Sequence, residues 1–240
     1  MKRTFVVASR VLLQLRHDAR TIALLILAPC MLETILKFVF LHRSQEFQQI
    51  GGALLGIFPL IVMFLVSSIA SLRERQSGTL ERLLISPLKK GEFIGGYALA
   101  FGLASLIQAL VVTTFSLAAL DLTVRGSRIQ LMIVAILDAL VGLAIGLGVS
   151  SLAKTEFQAI QFFPALLLPQ LLISGLLVPT TSMPRFLYLL SKFLPMTYCV
   201  EATQQVLAGE GSIVHPILAI IAFVVIILTL GSLTLRRASK

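Results

Sequence analysis

The sequence is poor in charge for its length. Of its 240 residues, 13% are Asp, Glu, Lys or Arg and 57% are hydrophobic, and the mean hydropathy is +0.97. Average soluble chains are nearly half apolar but about a quarter charged. The shortage of charge therefore excludes an ordinary water-soluble domain.

Cysteine and histidine are scarce as well. The two cysteines, Cys30 and Cys199, lie far apart and give neither a disulfide framework nor a metal-binding spacing. The three histidines, His17, His42 and His215, all fall at the edges of apolar runs and do not converge in sequence. Both observations argue against a metal site.

Long apolar runs dominate what is present. Each is bounded by charge, glycine or proline and reaches the roughly 20 residues that a membrane-spanning helix needs. Transmembrane strands alternate over about ten residues, whereas these runs are apolar on every face. The sequence therefore predicts an all-α, polytopic membrane protein with six transmembrane helices. The predicted spans cover about residues 21–41, 53–72, 94–120, 129–153, 159–178 and 214–235.

Lysine and arginine are distributed unevenly between the connections. With the N-terminus in the cytoplasm, fourteen of the 20 lie on the inner side and five on the outer side, and Lys37 falls within the first span. This asymmetry predicts a protein of the cytoplasmic (inner) membrane with both termini cytoplasmic. It also accounts for the net charge of +9 without nucleic acid, since the basic residues form no continuous face.

The first 20 residues combine scattered charge with helical periodicity. The scattered charges lead us to expect no cleaved signal peptide. Apolar residues recur at three- and four-residue steps, which predicts an amphipathic helix in the membrane interface over residues 1–20. A charged leader that only sets topology is the alternative. The apolar positions are Phe5, Ala8, Leu12, Leu15 and Ala19, and the polar positions are Arg3, Arg10, Gln14 and His17.

The connection between the second and third spans, residues 73–93, is longer than a reversal needs and dense in both charge signs. Gly78 breaks the helix of the second span, Thr79 can cap a new helix and Pro87 ends it. We expect a short helix of about two turns that lies parallel to the membrane and touches a partner. A solvated polar loop is the alternative.

Two motifs resemble those of a known family. The pattern Glu-Arg-x-x-Gly-Thr-x-Glu-x-Leu-x-x-Ser-Pro-Leu over residues 74–88 is similar to the loop between the second and third helices of ABC transporter permeases of the type-two exporter family. Ser-Gly-Leu-Leu-Val-Pro over residues 174–179 and Leu-Pro-Met-Thr-Tyr over residues 194–198 resemble the external segment before the last helix of that family. With the six spans, the resemblance covers nearly the whole chain.

The resemblance implies how such a chain would work. In that family the short inner helix is the coupling helix, which sits in a groove of a separate ATP-binding-cassette ATPase subunit. The chain would be no enzyme by itself, and it would act beside a second permease copy or homologue, in contact with membrane lipid. ATP and Mg would be bound by the ATPase, because this chain has no Gly-x-x-x-x-Gly-Lys-Ser/Thr phosphate loop. The implied coupling residues are Glu74, Arg75, Gly78, Thr79, Glu81 and Leu83.

Ionisable residues inside spans are costly and mark candidate functional positions. Glu33 and Lys37 are four residues apart with the acid first, the favourable order for a helical ion pair near the outer interface. Asp138 lies near the middle of the fourth span with no basic residue one turn away. For all three, a role in packing and a role in lining a transport pathway both stay open.

The fifth span contains two prolines, Pro164 and Pro169, which predict a kinked helix. Gln170 and Ser174 add polar groups along it, so it could line a cavity or only satisfy its own freed carbonyls. On the fourth span, Gly142 and Gly146 form a small-xxx-small pair that allows close helix approach.

The outer segment before the last span, residues 179–213, is long and still apolar. It predicts two short helices in the outer leaflet, broken at Pro195. The resemblance implies a re-entrant segment that gates the exit, with Pro195, Tyr198 and Glu201 as candidate gate residues. A loop that only shields the core is the alternative.

Two other function classes are alternatives. A membrane-embedded enzyme needs convergent nucleophile, base or metal ligands, and an ion-coupled carrier needs matched broken helices in two halves. The acids here are isolated from histidine, and only one span looks broken. The preferred prediction is an exporter permease subunit, and no residue chooses among lipophilic drugs, lipids and glycans as its substrate.

Overall fold

A computed structural model describes residues 2–76 and 90–234 of the chain. Within these two ranges the chain forms nine α-helices and a short 3-10 turn, Thr180–Ser182, and no strand. This confirms the all-helical, multi-pass class. The helices are α1 Lys2–His17, α2 Ala19–Val39, α3 Ser44–Gln76, α4 Lys90–Ala119, α5 Arg128–Leu152, α6 Glu156–Ile173, α7 Arg185–Ser191, α8 Pro195–Ala208 and α9 Val214–Thr234.

Each of the six predicted spans corresponds to one of these helices. Five of them, α2 to α6, are long and apolar enough to cross a membrane, and α9 adds a shorter apolar stretch, Val214–Leu230. The second span is longer than predicted, because α3 runs for 33 residues, about 50 Å. The predicted polar boundaries of α3 therefore lie inside the helix, and its two ends carry polar turns beyond the apolar run.

The bundle is organised around the contact between α3 and α5, which is the most extensive helix pair of the described chain. The two backbones approach closely at Gly142, where a Cβ atom would lie 2.1 Å from the carbonyl oxygen of Leu60. At Gly146 it would lie 2.6 Å from the carbonyl oxygen of Phe64. Small residues at such positions let membrane helices gain packing contacts where lipid gives them no hydrophobic drive to associate. The predicted role of this glycine pair is confirmed.

Helix α1 packs against α4 through another glycine. A Cβ atom at Gly96 would lie 2.5 Å from the Cβ atom of Val7. Val7, Ala8 and Val11 are buried, whereas Phe5 is 63% exposed. Of the predicted apolar positions, Ala8, Leu12 and Leu15 pack against the protein together with Val7 and Val11, whereas Phe5 and Ala19 are exposed. The placement of α1 in the membrane interface stays a prediction.

The segment before α9 contains two short helices, one exposed and one buried. Helix α7 leaves Phe186, Leu189 and Leu190 exposed. Helix α8 has Pro195 at its first position and is buried among α3, α5 and α9, with Cys199 and Thr203 fully inaccessible. Only α7 is exposed as a surface helix would be. The predicted break at Pro195 separates the two helices, and α8 enters the core of the bundle. Their placement in the outer leaflet stays a prediction.

The α3–α5 contact gives a matched pair of glycine substitutions. Gly142→Ala places a methyl group against a backbone carbonyl that cannot move freely, so we expect a loss of about 1–3 kcal/mol of stability. On the same helix nothing lies within 4 Å of a Cβ atom at Gly148. Gly148→Ala should leave stability unchanged or raise it by about 1 kcal/mol through helix propensity. Thermal unfolding of the detergent-purified variants measures both, and an equally stable Gly142→Ala variant would contradict this packing.

Candidate functional site

The last turn of α3, residues 73–76, leads directly into the segment that carries the family motif, and we call it the exit turn. Of Arg75 only the helical backbone is described. The other candidate coupling residues, Gly78, Thr79, Glu81 and Leu83, lie outside the described residues, as does the predicted short helix that contains them.

Glu74 is the buried member of the exit turn. Its side chain is 7% exposed, and its carboxylate accepts hydrogen bonds from the guanidinium of Arg10 in α1 and from the hydroxyl of Tyr97 in α4. Tyr97 is itself buried and packs edge-on against Phe101, with ring centroids 5.6 Å apart. A buried carboxylate needs such partners, because desolvation of an unpaired charge costs several kcal/mol. Glu74 thus joins three helices and does not present its carboxylate to the surface.

Arg73 and Gln76, the exposed members of the exit turn, contact elements other than α1 and α4. Arg73 donates to both oxygens of Glu156 at the start of α6, over 2.6 Å from Nε and 3.0 Å from a terminal nitrogen. Its other terminal nitrogen lies 3.8 Å from the carboxylate of Asp18, the N-cap of α2. Gln76 donates to the carbonyl of Lys154, between α5 and α6, over 2.8 Å. Each exposed contact is weak by itself, but together they add two further elements to those held by Glu74.

The exit turn is therefore a convergence point. Through Glu74 it holds α1 and α4, and through Arg73 and Gln76 it holds the start of α2 and the connection between α5 and α6. A displacement of the chain that follows Gln76 would act on all of these elements together. The geometry suits a mechanical function better than a catalytic one.

The predicted ion pair between Glu33 and Lys37 does not form. Lys37 donates to the carbonyl of Leu120 over 2.8 Å and lies 3.6 Å from the carboxylate of Asp121, at the end of α4. Glu33 is fully buried, and neither of its oxygens has a hydrogen-bond partner in the described part of the chain. It packs beside Gly51 of α3. Lys37 thus contacts acceptors on another part of the bundle and not the Glu33 carboxylate one helical turn before it.

Asp138 lies in the most crowded part of the core. It is inaccessible to solvent, and a Cβ atom at Gly56 of α3 would lie 3.0 Å from its carboxyl oxygen and 2.0 Å from the hydroxyl of Thr203. Within the described residues, neither carboxyl oxygen of Asp138 has a hydrogen-bond partner at standard geometry, although the Cys199 thiol of α8 lies beside it. Asp138 thus sits where α3, α5 and α8 meet, with Thr203 and Cys199 of α8 beside it.

The polar groups of the fifth span turn back on their own helix. Gln170 donates to the carbonyl of Leu166 over 3.1 Å, and Ser174 donates to that of Leu171 over 2.8 Å. Helix α6 continues through both Pro164 and Pro169. Only Ala159 and Leu167 of this helix are buried, so its other faces are open to lipid or to another chain.

The candidate gate residues are placed by α8. Pro195 begins the helix, and the hydroxyl of Tyr198 donates to the carbonyl of Lys192 over 3.0 Å, which closes the connection from α7. The Tyr198 ring also lies 5.8 Å from that of Phe223 in α9. Glu201 accepts from Gln205 one turn later over 3.3 Å. These contacts fix the entry of α8 into the bundle. In the ranges 2–76 and 90–234, no three His, Cys, Asp or Glu side chains are grouped as metal ligands would be.

Sequence reasoning missed two functional partners, Arg10 and Tyr97. Arg10 was assigned to the polar face of an interface helix, and Tyr97 lies in an apolar run with no distinguishing pattern. They meet Glu74 across 64 and 23 residues of chain. The one signal for Glu74 itself was its place at the start of the motif.

The fold defines an all-helical, multi-pass membrane protein. The family described as ABC-2 type transporter matches residues 2–208, and the chain belongs to this family. The family resemblance drawn from the two motifs is thereby confirmed.

Curated relatives agree with this assignment. The chain is 28% identical over 161 residues to the probable multidrug ABC transporter permease YbhR of Escherichia coli K12, a match that covers 67% of this chain and 44% of that one. It is 26% identical over 189 residues to the linearmycin resistance permease protein LnrN of Bacillus subtilis, which covers 75% of this chain and 48% of that one. The chain thus spans less than half the length of these relatives.

Removal of the Glu74 carboxylate tests the anchor. Glu74→Ala leaves a guanidinium and a buried hydroxyl without their acceptor, so we expect a loss of about 3–5 kcal/mol in the free energy of unfolding. The matched control is Glu156→Ala, which removes the exposed acceptor of Arg73 and should cost less than about 1 kcal/mol. Thermal unfolding of the purified proteins compares them. Equal losses would show that Glu74 is no more than a surface partner.

Proposed function

We propose that this chain is the membrane-spanning permease subunit of an ATP-binding-cassette exporter and moves its substrate with energy from ATP hydrolysed by a separate ATPase subunit. Family membership supports the class of protein. The observation that carries the mechanism is the exit turn, where four neighbouring parts of the bundle are tied to the helix that leads to the motif segment.

In this proposal the ATPase subunit binds the segment from Gly78 to Leu83 as a short coupling helix. Glu81 pairs at the rim of its groove and Leu83 anchors inside it. Movement of that segment acts on the exit turn directly, because the exit turn ends at Gln76, two residues before Gly78. Glu74 passes it to α1 and α4 as one unit, and Arg73 passes it to α6. A buried, multiply bonded anchor transmits displacement, whereas a solvated loop would absorb it.

The working unit is a pair of permeases. Helix α6 supports this step, because Leu166, Leu168 and Leu172 are exposed along it while its Gln170 side chain keeps a buried oxygen without a partner in the described chain. A second copy or a homologous permease would cover this face and enclose a shared cavity. ATP and Mg are bound by the ATPase pair, and this chain forms the path that the substrate takes through the membrane.

The substrate we propose is a lipophilic, drug-like compound. Two relatives carry the words multidrug and linearmycin resistance in their names, and the helices that would face a shared cavity are largely apolar. The proposed location is the cytoplasmic membrane, with the exit turn and both termini on the cytoplasmic side. The distribution of basic residues supports this orientation.

Charge reversal in the motif segment tests the coupling. Glu81→Arg places a cation where an acid pairs with the ATPase, so it should abolish transport and transport-stimulated ATP hydrolysis while the protein stays in the membrane. Glu210→Arg, an exposed reversal after α8 at the far end of the bundle, is the control and should keep both activities. Unchanged activity and unchanged ATPase capture in Glu81→Arg would contradict the proposal.

Topology can be tested independently. In a background with Cys30 and Cys199 replaced by alanine, single cysteines at positions 81 and 210 should react with a membrane-impermeant maleimide from opposite sides. In intact cells only position 210 should be labelled, and position 81 should require permeabilised cells. Labelling of position 81 from outside would reverse the orientation and remove the ATPase contact.

A further inference from the structure

A cavity of about 500 Å³, whose lining combines polar side-chain groups with a larger apolar surface, opens at the end of the bundle opposite to the exit turn. It lies between the first turns of α3, the connection from α4 to α5, and the last turn of α8. Its volume falls within the range of small-molecule sites, about 300–1,000 Å³. Leu207 and Ala208 are the apolar side chains of its lining, and its polar side chains include Gln45, Gln48, Gln49, Thr123, Arg125 and Gln204.

The walls of this cavity are held in place by specific contacts. Gln48 donates to the carbonyl of Asp121 over 2.8 Å and accepts from the backbone and the hydroxyl of Thr123 over 2.8 and 3.0 Å. The backbone N–H of Arg125 donates to the carbonyl of Leu207 over 3.0 Å. Gly209 ends α8 with φ of 70°, and a side chain there would lie 3.3 Å from the Cβ atom of Arg125. The connection is thus clamped to both α3 and α8.

The groups that face the cavity are free to bind a ligand. Within the described chain the side chains of Gln45, Gln49, Gln204 and Arg125 make no hydrogen bond or ion pair with the protein. Arg125 is the one charged group in the lining, and no carboxylate accompanies it. The cavity therefore offers one cation surrounded by neutral amides and hydroxyls.

We propose that this cavity binds a phosphorylated polyol, such as a glycerol phosphate group. A guanidinium matches the oxygens of a phosphate with two parallel N–H donors. The surrounding amides both donate and accept, which suits hydroxyl groups. The cavity lies at helix ends, beside the first turn of α3, which follows Arg43. The same chemistry is offered by an anionic phospholipid headgroup and by a free sugar or polyol phosphate.

Two arms of one experiment test the site and distinguish these sources. In the first, glycerol 3-phosphate is titrated calorimetrically into the full chain in phosphatidylcholine nanodiscs. In the second, native mass spectrometry compares retention of phosphatidylglycerol and phosphatidylcholine by the detergent-solubilised chain. Binding of the soluble probe assigns a free polyol phosphate, and selective retention of phosphatidylglycerol alone assigns a lipid headgroup.

Arg125→Gln should weaken the observed binding about tenfold or more, because it removes a charge-assisted pair of hydrogen bonds. Arg128→Gln is the matched control, since it removes an exposed positive charge three residues away that does not line the cavity, and it should change affinity less than about twofold. Gln49→Ala, on a different element, should weaken binding severalfold and keeps the test valid if Arg125→Gln folds poorly.

Absence of binding in both arms would overturn the proposal, and so would equal weakening by Arg125→Gln and Arg128→Gln, which would mark a diffuse electrostatic effect. The measurement uses the isolated chain without ATPase. Its outcome is therefore independent of the proposed export function.

Discussion

The burial of the Glu74 carboxylate constrains the whole end of the bundle at which α3 leaves it. An ionised acid in a poorly solvated position is stable only beside fixed donors, and here the donors come from two other helices. The position of α1 is consequently not a matter of lipid contact alone. Arg10 must stay over α3, and the close approach at Gly96 lets it do so while Val7 packs against α4. Charge and shape thus specify the same arrangement.

Away from that end, the bundle is held together by close packing between helices. Helices in lipid satisfy their backbone groups internally and gain little from hydrophobic burial, so close packing decides which pairs associate. Gly142 and Gly146 of α5 bring its backbone against that of α3, and Gly56 of α3 receives the Thr203 side chain of α8. The result is a core in which Asp138 and Glu33 are enclosed without full hydrogen-bond partners among the described residues. Both acids flank the same stretch of α3.

The helices, the family and the glycine contact were predictable because each depends on a local pattern. Runs that are apolar on every face leave few alternatives to membrane helices, and the motif at residues 74–88 is contiguous. The partners of Glu74 and Lys37 were not predictable, since they depend on which helix ends meet in space. Glu33 and Lys37 have the spacing of a helical ion pair, but Lys37 instead contacts Leu120 and Asp121, just past the end of α4. The burial of α8 was hidden because a short apolar helix can rest on a bundle or enter it with the same composition.

The buried course of α8 links two regions that would otherwise change separately. Its middle, at Thr203, is wedged beside Asp138, while its last turn carries Leu207 against Gly52 and holds the connection to α5. Helix α8 has fourteen residues and is held at both of these places, so a displacement at one place is transmitted to the other. A shift of α8 would therefore alter the surroundings of the central acid and the mouth of the distant cavity together.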